Sequence, residues 1–304
     1  MNGLSMKHLR YFDALARLGH FGRAASTCAI SQPALSVQIK ELEELLGAPL
    51  VERGGRRIRL TGLGEEFAAR ARAILRAVDE LEDLRRAAHG PLAGRLRLGI
   101  IPTAAPYLLP EIIQALTRRF PGLDPRPKEA ITQKLIQDLA EGRLDVAIVA
   151  LPISEPALEE APLFDEEFVL VRPLEDRGKS VPSNDRLHEM RLLLLEEGHC
   201  FRDQALSVCN LNASSTRELM EGSSLSTLVR MVGAGIGVTL IPQMAVDTET
   251  RASPVYVSRL AEPRPSRTIG MVWRKSNPLS EQFVQIADIA REVGVKMQSQ
   301  ANSI

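Results

Sequence analysis

The chain is 304 residues long, 44% hydrophobic and 25% charged, the balance of a globular protein divided into two or three compact units. It has no run of about 18 apolar residues, and its first residues (MNGLSMKHLR) lack an apolar signal core, so no membrane partner and a cytoplasmic location are expected. Formal charge is zero and only three cysteines occur (Cys28, Cys200, Cys209), none in a C-x-x-C pair, which excludes a disulfide framework and a uniformly basic protein alike.

Charge is nevertheless uneven along the chain. In residues 1–60 nine cationic side chains stand against five anionic ones, and Arg53, Arg56, Arg57 and Arg59 crowd one stretch, a patch suited to a phosphate backbone. Three short helical patterns open the chain. Leu9, Phe12, Leu15 and Ala16 mark the first, ended by Gly19; Phe21, Ala24, Ala25 and Cys28 mark the second, with Cys28 on its buried side. Ser31 is placed to cap a third, Pro33 is tolerated in its first turn, and Leu35, Ile39, Leu42 and Leu46 fall on one arc as its buried stripe. After Gly47, Val51–Arg53 and Arg56–Leu60 read as two short strands around Gly54-Gly55, a hairpin with a basic tip.

The wording of this stretch is more specific than its periodicity. Phe21-x-x-Ala24-Ala25, Ser31-Gln32-Pro33-Ala34-Leu35-Ser36-x-Gln38-Ile39 and Leu42-Glu43-x-x-Leu46-Gly47-x-x-Leu50-x-x-Arg53 resemble, without a gap, the DNA-binding signature of the LysR family. The resemblance implies a winged helix-turn-helix over residues 6–60. Gln32, Pro33, Ser36, Gln38 and Lys40 would then face promoter DNA, and Arg53, Arg56 and Arg57 would lie along its backbone from the wing. A linker helix is expected over residues 61–90, closed by His89-Gly90-Pro91. Phe67, Ala71, Ile74, Val78 and Leu81 recur on it at coiled-coil spacing. Docking on its own domain competes with dimerisation as the use of that seam; dimerisation is preferred, because two winged helices share a palindromic site.

Residues 91–304 alternate between strand and helix patterns. Strands are expected at Arg95–Ile101, Asp145–Leu151, Glu167–Arg172, Arg191–Leu195, Val238–Ile241 and Arg267–Arg274, with helices at Tyr107–Phe120, Thr132–Gly142, Leu225–Ala234 and Leu279–Glu292. This rhythm predicts an α/β fold with a parallel sheet covered on both faces. The family resemblance implies a two-lobed effector domain like the periplasmic binding proteins, one lobe about 94–164 with 268–304 and the other about 165–267. Gly233, Gly235 and Gly237 follow a helix and precede a strand, the reverse of a dinucleotide fingerprint, and read as a helix end and turn. Neither a P-loop nor zinc-ligand spacing occurs, so no cofactor, no metal and no enzyme are expected.

The segment Glu197-Gly198-His199-Cys200-Phe201-Arg202-Asp203-Gln204-Ala205 through Cys209 carries the remaining signal. His199 and Arg202 flank Cys200, and a cation beside a thiol raises its thiolate fraction. The stretch between the cysteines reads as helical, which holds their Cα atoms about 13 Å apart. A disulfide needs roughly 4.4–6.8 Å, so a bridge between them would have to unwind the segment. This segment, with Ile101-Pro102-Thr103, Tyr107-Leu108-Leu109-Pro110, Pro162-Leu163-Phe164-Asp165-Glu166 and Arg267-Thr268-Ile269-Gly270, resembles the peroxide-sensing branch of the LysR family over essentially the whole chain. The likeness implies Cys200 as the peroxide-reactive thiol and Cys209 as the resolving thiol, with Thr103, Thr132, His199, Asp203 and Arg267 around the peroxide. It implies as partners promoter DNA, hydrogen peroxide, further copies of the chain in a dimer of dimers, RNA polymerase, and a thiol reductant of the glutaredoxin or thioredoxin kind. The alternative is a family regulator that binds a small anion between its lobes.

Overall fold

A computed structural model describes residues 3–52, 58–88, 92–181, 187, 190–209 and 220–301. The chain divides into two compact units, Met1–Arg85 and Arg86–Ile304.

In the first unit, helix α1 (Met6–Leu18) starts at Ser5, whose hydroxyl accepts the His8 N–H at 3.3 Å, and stops at Gly19 in the left-handed region. Helix α2 (Phe21–Thr27) follows, and Ser31 caps α3 (Gln32–Leu46) by accepting the Ala34 N–H at 3.3 Å. Phe12, Leu15, Leu35, Ile39 and Leu42 fill the core between them. Leu46 does not join the stripe expected of it: it is 39% exposed, in the last turn before Gly47. Glu43 turns inward instead, and its carboxylate accepts the N–H groups of Leu50 (2.8 Å) and Val51 (3.2 Å), fastening α3 to the hairpin. Cys28 ends α2 and is only half-buried, so it edges this core without filling it. Strands β1 (Val51–Glu52) and β2 (Arg59–Leu60) pair antiparallel; Gly54, Gly55 and the arginines between them lie outside the described residues.

Helix α4 (Gly62–Ala88) leaves the hairpin with Gly64 so close to Leu50 that a Cβ would stand 2.0 Å from its carbonyl oxygen, a contact only glycine allows. Its apolar seam is divided. Phe67 packs edge-on to Phe12 at 5.3 Å, Ala68 is buried in the unit's own core and Ala71 is buried too, whereas Ile74, Leu81 and Leu84 are exposed.

The second unit is built on strands β3 (Gly94–Ile100), β4 (Leu123–Glu129), β5 (Val146–Leu151), β6 (Leu158–Pro173), β7 (Leu192–Leu195), β8 (Met220–Gly222), β9 (Val238–Pro242), β10 (Val255–Arg259) and β11 (Ser266–Arg274). Their order is β4-β3-β5-β11-β6-β9-β7-β8, with β10 also on β6. The sheet is mixed and not parallel as expected: β6 runs antiparallel to β9, β10 and β11, and β11 antiparallel to β5. Strand β6 is also longer than the expected Glu167–Arg172. Its first part pairs with β11 and its second with β9 and β10, so one strand serves two cores. One core gathers Leu98, Ile148, Phe164, Trp273 and Phe283 under α5 (Ala105–Arg119), α6 (Thr132–Ala140) and α10 (Ser280–Ala301). The other gathers Phe168, Leu193, Phe201, Leu228 and Ile241 under α7 (Cys200–Val208) and α8 (Leu225–Gly233), near the short α9 (Val246–Thr250). Helix α10 runs to Ala301, past the expected end at Glu292.

Candidate functional site

Strand β7 is four buried leucines and ends where the Glu196 N–H reaches the Gly222 carbonyl at 3.1 Å. The chain then turns at Gly198, whose φ of +97° suits glycine, and passes through extended His199 into α7 with Cys200 as its first residue. The helix is held by what its side chains enter. Phe201 lies under the Arg267 guanidinium (5.2 Å) and edge-on to Phe168 (5.0 Å). Ala205 and Leu206 are buried in the second core.

The two thiols, both free, belong to different cores. Cys200 is half-buried against the first; Cys209, the C-terminal cap of α7, is 0% exposed within the second. Burial pushes the Cys209 thiol from 9.0 up to about 11. Arg202 has its own partners on the sheet. Its guanidinium donates to the Leu195 carbonyl (2.8 Å) and pairs with Glu221 on β8 (2.6 Å), tying α7 to the sheet.

Cys200 opens onto a cavity of about 470 Å³ shared with Thr132, Gln133, Ile136, Pro152, Ile153, Glu155, Gly198 and Asp203. Helices α6 and α7 both begin here, and neither N-terminus is capped by a side chain. Backbone N–H groups at two such termini favour negative charge between them. The Thr132 hydroxyl is buried without a hydrogen-bond partner among the described residues, so its donor and acceptor are open to a guest. Helix α6 is anchored from its other end by buried Asp138. Burial alone would raise that carboxyl, but hydrogen bonds from Lys128, Arg143 and Lys134 hold it at about 2.

Of the five residues expected around a peroxide, Thr132 and Asp203 line this cavity with Cys200, while His199, Thr103 and Arg267 do not. His199 is the half-buried residue ahead of α7. Thr103 and Arg267 are buried and joined to each other: Nη1 donates to Thr103 Oγ1 at 2.8 Å and Nη2 to its carbonyl at 3.3 Å. The remaining side of the guanidinium meets Glu166, which receives Nε at 2.8 Å and Nη2 at 2.7 Å. Burial pushes the Glu166 carboxyl above its ordinary 4.5, and the charge and hydrogen bonds of Arg267 pull against it. At the level of sequence, Glu166 was named only within the Pro162–Glu166 motif and given no role. The strand period gives it away, because Phe164, Glu166 and Phe168 share one face and all three are buried.

In the first unit, Gln32, Pro33, Ser36 and Lys40 share the exposed face of α3. Gln38 is half-buried and its amide donates to Glu41 at 2.5 Å, while Lys40 pairs with Glu44 at 3.5 Å. Arg53, Arg56 and Arg57 lie outside the described residues.

A three-helix unit with a hairpin, followed by an α/β unit with an open cavity, is the plan of a bacterial one-component regulator. Residues 6–65 match the bacterial regulatory helix-turn-helix protein of the lysR family, and residues 89–294 the LysR substrate binding domain; the chain belongs to the LysR family. A probable hydrogen peroxide-inducible genes activator of Streptomyces viridosporus is 42% identical over 292 residues, 95% of this chain and 94% of its own length. The DNA-binding transcriptional dual regulator OxyR of Escherichia coli is 40% identical over 292 residues, 95% of either chain. Among solved structures, full-length OxyR of Pseudomonas aeruginosa with a cysteine-to-aspartate substitution aligns at a TM-score of 0.75 and 38% identity, covering 95% of this chain and 98% of that one.

Proposed function

We propose that this chain is a DNA-binding transcriptional regulator that senses hydrogen peroxide by reversible disulfide formation between Cys200 and Cys209. The Cys200 thiolate attacks one peroxide oxygen, the O–O bond breaks, and hydroxide leaves and is protonated to water, giving a sulfenic acid. The Cys209 sulfur then displaces the sulfenic oxygen, also lost as water, and two thiols have been oxidised by one peroxide. The observation that carries this reading is the placement of the sulfurs. Cys200 faces an open cavity beneath two uncapped helix N-termini, and Cys209 is sealed in another core at the far end of α7. They stand nine positions apart along the helix, about 13 Å, so the bridge requires α7 to unwind. Refolding of that segment re-packs the regulatory domains and alters the spacing of the DNA-binding pairs.

We assign residues 6–60 to the winged helix-turn-helix and 61–90 to a dimerising linker helix. Residues 91–304 form a two-lobed regulatory domain of periplasmic-binding-protein-like form, its lobes about 94–164 with 268–304 and about 165–267. The two separate cores support the division, and the exposed Ile74, Leu81 and Leu84 support the dimer. Gln32, Pro33, Ser36, Gln38 and Lys40 meet the major groove, with Arg53, Arg56 and Arg57 on the phosphates. Thr132, Asp203, His199, Thr103 and Arg267 serve the peroxide. The protein works as a cytoplasmic regulator and not an enzyme, as a dimer of dimers, with RNA polymerase and a glutaredoxin- or thioredoxin-type reductant as partners. Among the described residues no helix is long and apolar enough to cross a membrane.

Non-reducing peptide mapping after one equivalent of peroxide tests the reading. A Cys200–Cys209 crosslink, lost on reduction, is the expected result. Absence of that crosslink would leave a regulator that binds a small anion in the cavity, the reading favoured by a volume well beyond what peroxide needs.

A further inference from the structure

Helix α3 turns an apolar ridge to solvent. Val37 is 54% exposed, more than any other large hydrophobic side chain on the helix, and it has no place in the core of its unit. A lone exposed valine would need no explanation, but Pro33 and Ala34 are exposed beside it. At about 100° per residue the buried Leu35, Ile39 and Leu42 set the direction of the core, and Val37 points within about 15° of the opposite direction. Pro33, one turn earlier, lies about 30° from that line. The outermost edge of the first two turns is therefore hydrocarbon.

The polar residues of the helix stand to the sides of this ridge. Gln32, Ser36 and Lys40 are exposed along one flank. The Gln38 amide donates to Glu41 at 2.5 Å and Lys40 pairs with Glu44 at 3.5 Å, so both side chains are drawn toward the far end of the helix. Glu41 and Glu44 occupy the exposed face there, where their charge opposes a phosphate backbone. What α3 can bring against base edges is thus its first two turns, and the side chains on their outermost line are Pro33 and Val37. Neither side chain can hydrogen-bond.

The major groove offers one apolar group to such a ridge. Guanine, cytosine and adenine present donors and acceptors there, whereas thymine adds a 5-methyl group. We propose that Val37 is a specificity-determining residue, packing its γ-methyl groups on the 5-methyl of an operator thymine and so requiring an A·T pair at one position in each half-site. This rests on the reading of α3 as the helix that enters the major groove. Gln32, Ser36 and Lys40 hold the helix in register through hydrogen bonds and phosphate contacts, while Val37 discriminates at its own position by burial alone. Loss of one buried methyl group corresponds to about a fourfold loss of affinity in each half-site.

The test uses the full reduced chain and duplexes that it enriches from a random-sequence pool. Each thymine of the enriched site is replaced in turn by deoxyuridine, which keeps the base pair and removes only the 5-methyl group. The parent is expected to lose about fourfold in affinity at one thymine of a half-site. Val37→Ala is expected to bind the unsubstituted duplex about fourfold more weakly and to be indifferent to deoxyuridine at that thymine, with its response at every other position unchanged. Val37→Thr, which keeps one γ-methyl, is expected to recover part of the discrimination. Val37 lies outside the core, so both variants are expected to fold as the parent does. A parent indifferent to every thymine methyl, or a Val37→Ala protein as sensitive to deoxyuridine as the parent, would overturn the proposal. So would smaller species of Val37→Ala in sedimentation velocity with the deoxyuridine pattern intact, which would assign the ridge to a contact between copies. Should the parent enrich no sequence from the pool, the DNA-binding reading fails first and is recognised before any variant is made.

Discussion

Cys209 is the group whose chemistry α7 most strongly suppresses, and native-state labelling measures by how much. Its thiol is 0% exposed, and burial has pushed it from 9.0 to about 11. At pH 7.5 its thiolate fraction is therefore about a hundredfold below that of an ordinary thiol, before any exclusion of the reagent is counted. Cys200, half-buried on an open cavity, has no such barrier of access. A short pulse of iodoacetamide on the reduced protein, followed by digestion and mass spectrometry, is expected to label Cys200 at least a hundredfold faster than Cys209. The pH dependence follows with a definite sign. Above pH 9 the unfolded segment releases the Cys209 proton while the folded one holds it to about 11, so the folded form is fully stable below 9 and loses stability as pH rises between 9 and 11. Helicity of the reduced protein and its resistance to Cys209 labelling are expected to fall together in that window, and Cys209→Ala is expected to weaken the loss of helicity. Equal labelling of the two cysteines at neutral pH would refute the idea that the resolving thiol is locked away until α7 opens.

Other consequences are open to direct measurement. Phe201→Ala removes the ring held between Arg267 and Phe168 and is expected to cost about 3–5 kcal/mol in urea unfolding, with faster labelling of Cys209. Glu43→Ala strands the N–H groups of Leu50 and Val51, each at about 1–3 kcal/mol, and is expected to lower the unfolding midpoint of the DNA-binding unit while leaving the rate of Cys200 oxidation unchanged. Ile74→Asp with Leu81→Asp places charge on the exposed part of the α4 seam; sedimentation velocity is expected to report smaller species, and an unchanged distribution would remove that seam from assembly.

The DNA-binding unit was legible because its signals are local. Ser31, Pro33, Gly19 and Gly47 act on the helix ends beside them, and the structure puts each where those rules require. Leu46 was misread because a stripe drawn at 100° per residue ignores the helix end, where the side chain had already cleared the core. Further along, locality fails. Strand β4 contains Pro125 and Pro127, which argue against a strand; it survives because it lies at the sheet's edge and pairs with β3 alone. Strand β6 hides half its length behind Pro162 and the acidic triplet Asp165–Glu167, since only pairing with β11 makes that stretch regular. The sulfur segment was read as helix and is one. The cavity was legible only through the family resemblance, which grouped Thr132 and Asp203 with Cys200; residue patterns alone do not show it, because Thr132, Pro152 and Cys200 come from distant parts of the chain and meet only once the sheet is assembled.

What makes α7 usable as a switch is the weakness of its own claim to be a helix. It has nine residues, fewer than the 12–15 or so that an isolated helix needs in water, and no side chain caps its start. The Gln204 side-chain carbonyl is buried without a partner among the described residues, a further cost carried by the folded form. Against these stand Phe201 between two partners, Leu206 and Cys209 in the second core, and the Arg202 links to Leu195 and Glu221. The helix is therefore held by its surroundings, and a chemical change at Cys200 acts on its first residue, where the fewest backbone bonds need to break. Had the sequence given α7 a strong cap and another turn, the same two cysteines would sit at the ends of a stable rod and could not meet.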